Sequence, residues 1–236
     1  EIGSLDIAAK AQGYRFGGGL PEAIIPGLAF YGDGVDDSKA KEYVDFIDEW
    51  KLELRAIEHM SGGDGGHGDA LGYFSAYMDG QSYDVTFGFK AVETSTGMDM
   101  LKESSYMLQA PFIYYYGHKP FDHQVVPFGD VSPGGWLFSK HLRLTKDAYI
   151  QYRIIADKHY QLGDLNSASF TTWFIEDFFN MENDENPFEL VMYTNEIEKK
   201  SPSELNMPLV KAFGWDEQEN SIAKFDNNKA GIGWVF

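Results

Sequence analysis

The sequence predicts a mainly β protein, with α+β as the variant: two homologous antiparallel β-rich modules related by internal duplication, plus a few short helices. Three observations predict it. Short runs alternate apolar and polar residues, the same run of segments recurs after roughly 100 residues, and glycine-aromatic segments bound each copy.

In chain order, residues 1–25 read as an N-terminal arm. Gly17-Gly-Gly19 ahead of Pro21 and a lack of periodic apolar residues give it nothing to pack by itself, so it is either frayed or docked, and a neighbouring subunit would serve. The first module, 26–132, opens with Pro26-Gly-Leu-Ala-Phe30. Its best helix is Asp37 to Ile47, where Ala40, Val44 and Ile47 recur at helical spacing behind acidic first-turn residues. Trp50-Lys-Leu-Glu-Leu-Arg-Ala-Ile57 then alternates as a strand and aligns with Ala148-Tyr-Ile-Gln-Tyr-Arg-Ile-Ile155 in the second module. After a polar loop in each copy, Tyr73–Met78 matches Phe170–Ile175 and Tyr83–Phe87 matches Phe188–Met192, which reads as a hairpin in both. Thr96-Gly-Met-Asp-Met100 matches Ser201-Pro-Ser-Glu-Leu205, each a Ser/Thr cap leading into a short helix or turn. The second module, 133–230, opens with Pro133-Gly-Gly-Trp-Leu-Phe138. The segment 231–236, Gly-Ile-Gly-Trp-Val-Phe, echoes that opening as a terminal strand with no repeat behind it; sandwich and barrel both satisfy the pattern.

Composition bounds the function classes. The 236 residues carry 37 acidic and 19 basic side chains, a formal charge of −18, which opposes binding to nucleic acid and to anionic membranes. Hydrophobic residues at 43 % and aromatics at 16 % supply a core and argue against disorder. With no cysteine, disulfides, thiolate metal sites and Cys nucleophiles are excluded. The longest stretch free of Asp, Glu, Lys and Arg, Ser104 to His118, is short of the roughly 18 residues a membrane span needs, so no membrane insertion is expected.

Candidate chemistry is sparse. His59, Asp64, His67 and Asp69 on a glycine-rich loop are the right residue types for a divalent cation, but their spacing follows no known ligand pattern and a solvated loop explains them as well. His118, Asp122 and His123 around Pro120 form a second possible cation or acid/base cluster. The pairs Glu176/Asp177 and Glu182/Asp184 have the side chains glycoside hydrolysis uses, although surface charge is the simpler reading in so acidic a chain. No nucleophile elbow, phosphate-binding loop, dinucleotide fingerprint or His-Glu-x-x-His motif occurs. Neither catalytic nor cofactor-binding residues are assigned, and no cofactor is expected. The aromatic runs Phe112–Tyr116 and Trp173–Phe179 hold more rings than one strand face buries, so they either form the contact between the modules or face outward as an interface.

These features suit a non-enzymatic protein that self-assembles into a sheet or shell. The terminal strand would add to a neighbour's sheet edge, with Trp136, Phe138, Trp234 and Phe236 as interface candidates. The paired modules at Trp50–Ile57 and Ala148–Ile155, with the boundary segments Pro133–Phe138 and Gly231–Phe236, resemble the diatom pyrenoid shell proteins in architecture. That resemblance implies a processed chain in the chloroplast stroma, tiling a layer around a Rubisco-rich pyrenoid, with itself and Rubisco or other compartment proteins as partners; Glu1 would follow a lost targeting segment. Two other classes fit the composition. One is a secreted carbohydrate-binding or polysaccharide-degrading β-sandwich using outward Tyr and Trp; the other is a viral or phage structural protein.

Overall fold

A computed structural model describes residues 20–61, 85–103, 106–118, 146–178 and 196–209, together with short paired strands between 211 and 234. The described chain is mainly helical, which corrects the β-rich prediction. In order come α1 (Leu20–Phe30), α2 (Asp37–Val44), α3 (Phe46–Ser61), α4 (Val85–Thr96), α5 (Met100–Glu103), a 3-10 turn (Met107–Gln109), α6 (Ala110–Tyr116), α7 (Lys146–Gln161) and α8 (Leu165–Trp173). The last runs directly into a π-helical turn, Phe174–Phe178.

The segment read as the first strand lies inside α3. Ile47, Trp50 and Leu54 are buried there, a spacing of three and four residues, whereas Leu52 is 48 % exposed. A strand would have put Leu52 and Leu54 on one face; the helix separates them. Its counterpart lies inside α7, where every residue from Tyr149 to His159 is buried. A helix covered all round shows no amphipathic stripe, and its Tyr and Ile residues favour strands by propensity, so packing overrides the local signal. The remaining aligned segments divide the same way. Phe170–Ile175 is helical in α8 and the π turn, residues 85–87 open α4, and 73–78 and 188–192 lie outside the described residues.

α1 and α2 form a hairpin. Gly32 and Gly34 have φ of 90° and 79° in its turn, and Asp37 Oδ1 accepts from both their backbone N–H groups. Asp36 caps α2 by accepting from Lys39 N. The two helices approach so closely that a Cβ on Gly27 would lie 2.7 Å from Tyr43 Cβ. The helix expected at Asp37–Ile47 is therefore α2, with Ala40 buried and the chain entering α3 one residue after Asp45.

α4 and α7 lie side by side and parallel, as their bonds show. Thr86 N donates to Gln151 Oε1 at 3.2 Å, and Lys158 Nζ meets Glu93 Oε1 at 2.8 Å, both pairs 65 residues apart in sequence. α7 and α8 form a tight antiparallel hairpin through Gly163, whose φ is 82°, and Asp164 caps α8 on Ser167 N. Around these helices runs an aromatic core. Trp50 and Phe89 rings lie 4.4 Å apart, Phe112 stacks on Phe170 at 4.6 Å, and Tyr114 meets Tyr152 edge-on at 6.2 Å. The two aromatic runs of the sequence meet at Tyr115, whose ring lies 5.9 Å from Trp173 and 5.5 Å from Phe178.

Residues 196–209 cross this core as a strap without regular structure. Lys200 N donates to Ser169 O, Leu205 and Met207 pack on the core, and the Tyr116 hydroxyl donates to Pro208 O at 2.6 Å. Ser201 and Glu204 cap reciprocally: Glu204 Oε2 accepts from Ser201 N, and Ser201 Oγ accepts from Glu204 N. Strand pairing among the described residues is confined to three two-stranded antiparallel ladders. β1 (Lys211–Phe213) pairs with β6 (Ile232–Trp234), β2 (Trp215–Asp216) with β3 (Ser221–Ile222), and β4 (Lys224–Phe225) with β5 (Asn228–Lys229). The terminal strand expected to be unpaired therefore pairs inside its own chain, Phe213 facing Ile232 and Lys211 facing Trp234. In a two-stranded ladder each strand keeps one edge outside that pairing.

Candidate functional site

Of the candidate site residues singled out in the sequence, only His59, His118, Glu176, Asp177 and Trp234 fall among the described residues. His59 falls in the last turn of α3, while Asp64, His67, Asp69, Asp122, His123, Glu182, Asp184, Trp136, Phe138 and Phe236 lie outside the described residues. Trp234 is placed by its backbone pairing in β6. Among the described residues no group of three or more His, Asp and Glu side chains is arranged to hold a metal ion, and no helix is long and apolar enough to cross a membrane. His118 is buried, with Nδ1 on the Tyr114 carbonyl oxygen and its ring 5.4 Å from Phe178, edge to face. Glu176 and Asp177 sit on the π turn and are both held by cations. Lys199 Nζ lies 2.6 Å from Asp177 Oδ1 and 3.6 Å from Glu176 Oε2, and Arg153 Nη1 lies 3.7 Å from Glu176 Oε1. They anchor the strap.

The densest polar chemistry runs along buried α7. The Lys158 side chain is 3 % exposed and its ammonium holds Glu93 at 2.8 Å and Asp99 at 2.7 Å. Burial by itself would lower the Lys158 pKa, but hydrogen bonds to Asp99 and Glu93 outweigh it and raise the value, so the amine stays charged and supplies no base at neutral pH. Glu93 is the mirror case. Burial opposes its charge, yet bonds from Lys158 and Lys90 keep its carboxyl below the ordinary range. At the next residue, His159 Nε2 faces Leu108 O at 2.9 Å and Nδ1 lies 3.4 Å from Asp164 Oδ2. The hydrogen bond from His159, with those from Ser167, overcomes burial and holds Asp164 well below the usual carboxylate range. Tyr116 is pushed up to about 12, by burial first and by Tyr115 second, so its phenol is a donor to Pro208 and not a nucleophile. Each of these groups ties one element to the next.

Among the described residues, exposed large apolar side chains gather at two turns. Eight large apolar side chains are exposed among the described residues, and six of them sit on two helix-to-helix turns. Phe30, Tyr31 and Val35, 61 %, 53 % and 86 % exposed, crown the α1–α2 turn; Tyr160, Leu162 and Leu165 crown the α7–α8 turn. Turns are ordinarily built of small and polar residues, and grouped exposed apolar side chains mark contact surfaces. Sequence reasoning passed over both, although a signal was there. Phe30-Tyr-Gly-Asp-Gly-Val35 and Tyr160-Gln-Leu-Gly-Asp-Leu165 each flank a Gly-Asp turn with large apolar residues.

Compared with protein-family models, with curated proteins and with solved structures, the chain matches none of them.

Proposed function

We propose that this chain is a non-enzymatic structural protein that works by self-association, with the α1–α2 turn as a principal contact. One observation carries the proposal: Phe30, Tyr31 and Val35 stand out in solvent on a turn whose backbone is held in place by Asp37 and Asp36. A floppy turn could fold such side chains back; a braced one presents them. The polar groups of α7 support the same reading, because they are spent on joining helices. A shell around a Rubisco-rich chloroplast compartment is one setting for such a protein. The aligned segments Trp50–Ile57 and Ala148–Ile155 behind the pyrenoid-shell resemblance are helical, so support for self-association now comes from the turns. The carbohydrate reading has less in its favour. Tyr115 meets Phe170, Trp173 and Phe178 edge-on at 5.4–5.9 Å, which is core packing and not a flat stacking platform.

Negative-stain electron microscopy of the purified chain, paired with a polysaccharide-binding panel, tests the proposal. Regular multi-copy particles, tubes or layers support it; isolated single-chain particles that bind a glycan overturn it.

A further inference from the structure

The α7–α8 turn is closed by a buried histidine set between two acceptors. The His159 side chain is 3 % exposed. Its Nε2 lies 2.9 Å from the carbonyl oxygen of Leu108 in the 3-10 turn, and its Nδ1 lies 3.4 Å from Asp164 Oδ2 in the α7–α8 turn. A carbonyl oxygen accepts and never donates, and an ionised carboxylate does the same. The bonds that hold Asp164 well below the usual carboxylate range keep it ionised at neutral pH. Neutral imidazole has one N–H and serves one of these acceptors; imidazolium has two and serves both.

The surroundings leave that choice to the ring's own proton. Phe112 of α6 meets the imidazole edge-on with centroids 6.4 Å apart, and Lys211 of β1 lies over that phenyl ring at 4.7 Å. The neighbouring charges on α7 have other partners, Lys158 bonding Glu93 and Asp99, and Asp157 bonding Gln161. Among the described residues Asp164 is the charged group in contact with the imidazole. The same aspartate caps α8, its Oδ1 accepting from Ser167 N at 3.1 Å, and its backbone N–H donates to His159 O at 2.9 Å.

We infer that His159 is a proton-operated latch in the α7–α8 turn. With both ring nitrogens protonated it ties Asp164, and with it the start of α8, to the 3-10 turn at Leu108. When the ring gives up one proton to water, its charge is lost and one nitrogen turns a lone pair on an acceptor. One of the two ties then opens and the turn loosens. That turn carries the exposed Tyr160, Leu162 and Leu165, so the latch sets how firmly this apolar surface is presented. The inference concerns the α7–α8 turn and stands independently of association through the α1–α2 turn.

Long-range proton–nitrogen NMR of the isotope-labelled full chain reads the protonation of the two ring nitrogens, and amide hydrogen exchange reads the turn. Both are followed across the range in which histidine changes charge, about pH 5 to about pH 8, with exchange expressed as protection factors so that the intrinsic pH dependence cancels. His159 is expected to pass from two N–H groups to one as pH rises. Over the same step the amides of Gly163, Asp164, Ser167 and Ala168 are expected to lose protection by about tenfold, as the loss of a hydrogen bond to a charged group implies. His159→Gln, with its fold verified by circular dichroism, is expected to show low protection in this turn and no step. A ring that keeps one N–H, or keeps two, over the whole range overturns the latch. So does a ring that titrates while the turn's protection stays constant, or a step that survives in His159→Gln. Should that variant fail to fold, the titration of the parent chain decides by itself.

Discussion

Replacing Lys158 by Met removes the charge at the centre of the α4–α7 contact while keeping the length of the apolar stem. The ammonium is 3 % exposed and bonds two carboxylates that are themselves only 25 % and 24 % exposed. Deleting one member of a buried ion pair costs about 3–5 kcal/mol, chiefly because the partner is left charged and poorly solvated. Lys90 still holds Glu93 at 2.9 Å, which places the expected loss near the lower end, about 3 kcal/mol. In a chain of this size that lowers the melting temperature by roughly 6–12 °C. Urea unfolding followed by far-ultraviolet circular dichroism reads the difference. Adding Asp99→Asn to Lys158→Met is expected to recover part of the loss, since Glu93 keeps Lys90 and Asp99 no longer carries a charge without its cation. A Lys158→Met chain within about 0.5 kcal/mol of the parent refutes the reasoning and means the clamp contributes no more than a surface pair.

Acid is expected to weaken the fold through Glu93 and Asp164. Both carboxyls titrate below their ordinary values in the folded chain, so the stability they confer is complete above the ordinary carboxylate range and is lost as pH falls through and below it. Urea midpoints measured from neutral pH downward check this, and Asp164→Asn is expected to flatten the slope; an unchanged midpoint under acid contradicts it. Tyr116→Phe deletes the hydrogen bond to Pro208 O and is expected to cost about 1 kcal/mol, with faster amide hydrogen exchange along 196–209 and loss of a phenol titrating at about 12. Gly88→Ala drives a methyl to 2.7 Å from Trp50 Cη2. Overpacking of about 1–3 kcal/mol there outweighs up to about 1 kcal/mol of gained helix propensity, and tryptophan fluorescence together with the unfolding midpoint reports the net loss.

Where the chain states its structure locally, the sequence could be read. Asp36 and Asp37 ahead of Ala40 and Val44 mark a capped helix, and α2 forms there. Ser201 and Glu204 spell a capping pair, and the hydrogen bonds follow. The strands of the duplicated segments failed for a definite reason. In Trp50–Ile57 both periods are present, and only the neighbours Ile47 and Phe89 decide that Trp50 and Leu54 go inward while Leu52 goes out. In α7 burial on all sides erases periodicity, so Gln151, Arg153, Lys158 and His159 look like an exposed polar face until their partners on other elements are known. The apolar turns were missed because the glycines and aspartates that mark them draw attention to backbone geometry and away from the Phe, Tyr and Val between them.

The proposed function requires the chain to associate with itself through the exposed, braced α1–α2 turn. Light scattering of the purified chain across a hundredfold range of concentration measures it most directly. A molar mass that climbs from 26.6 kDa to multiples of it, and that stays at 26.6 kDa when Tyr31 and Val35 are both changed to Ser, is the predicted result. A mass fixed at one chain over the whole range contradicts the account.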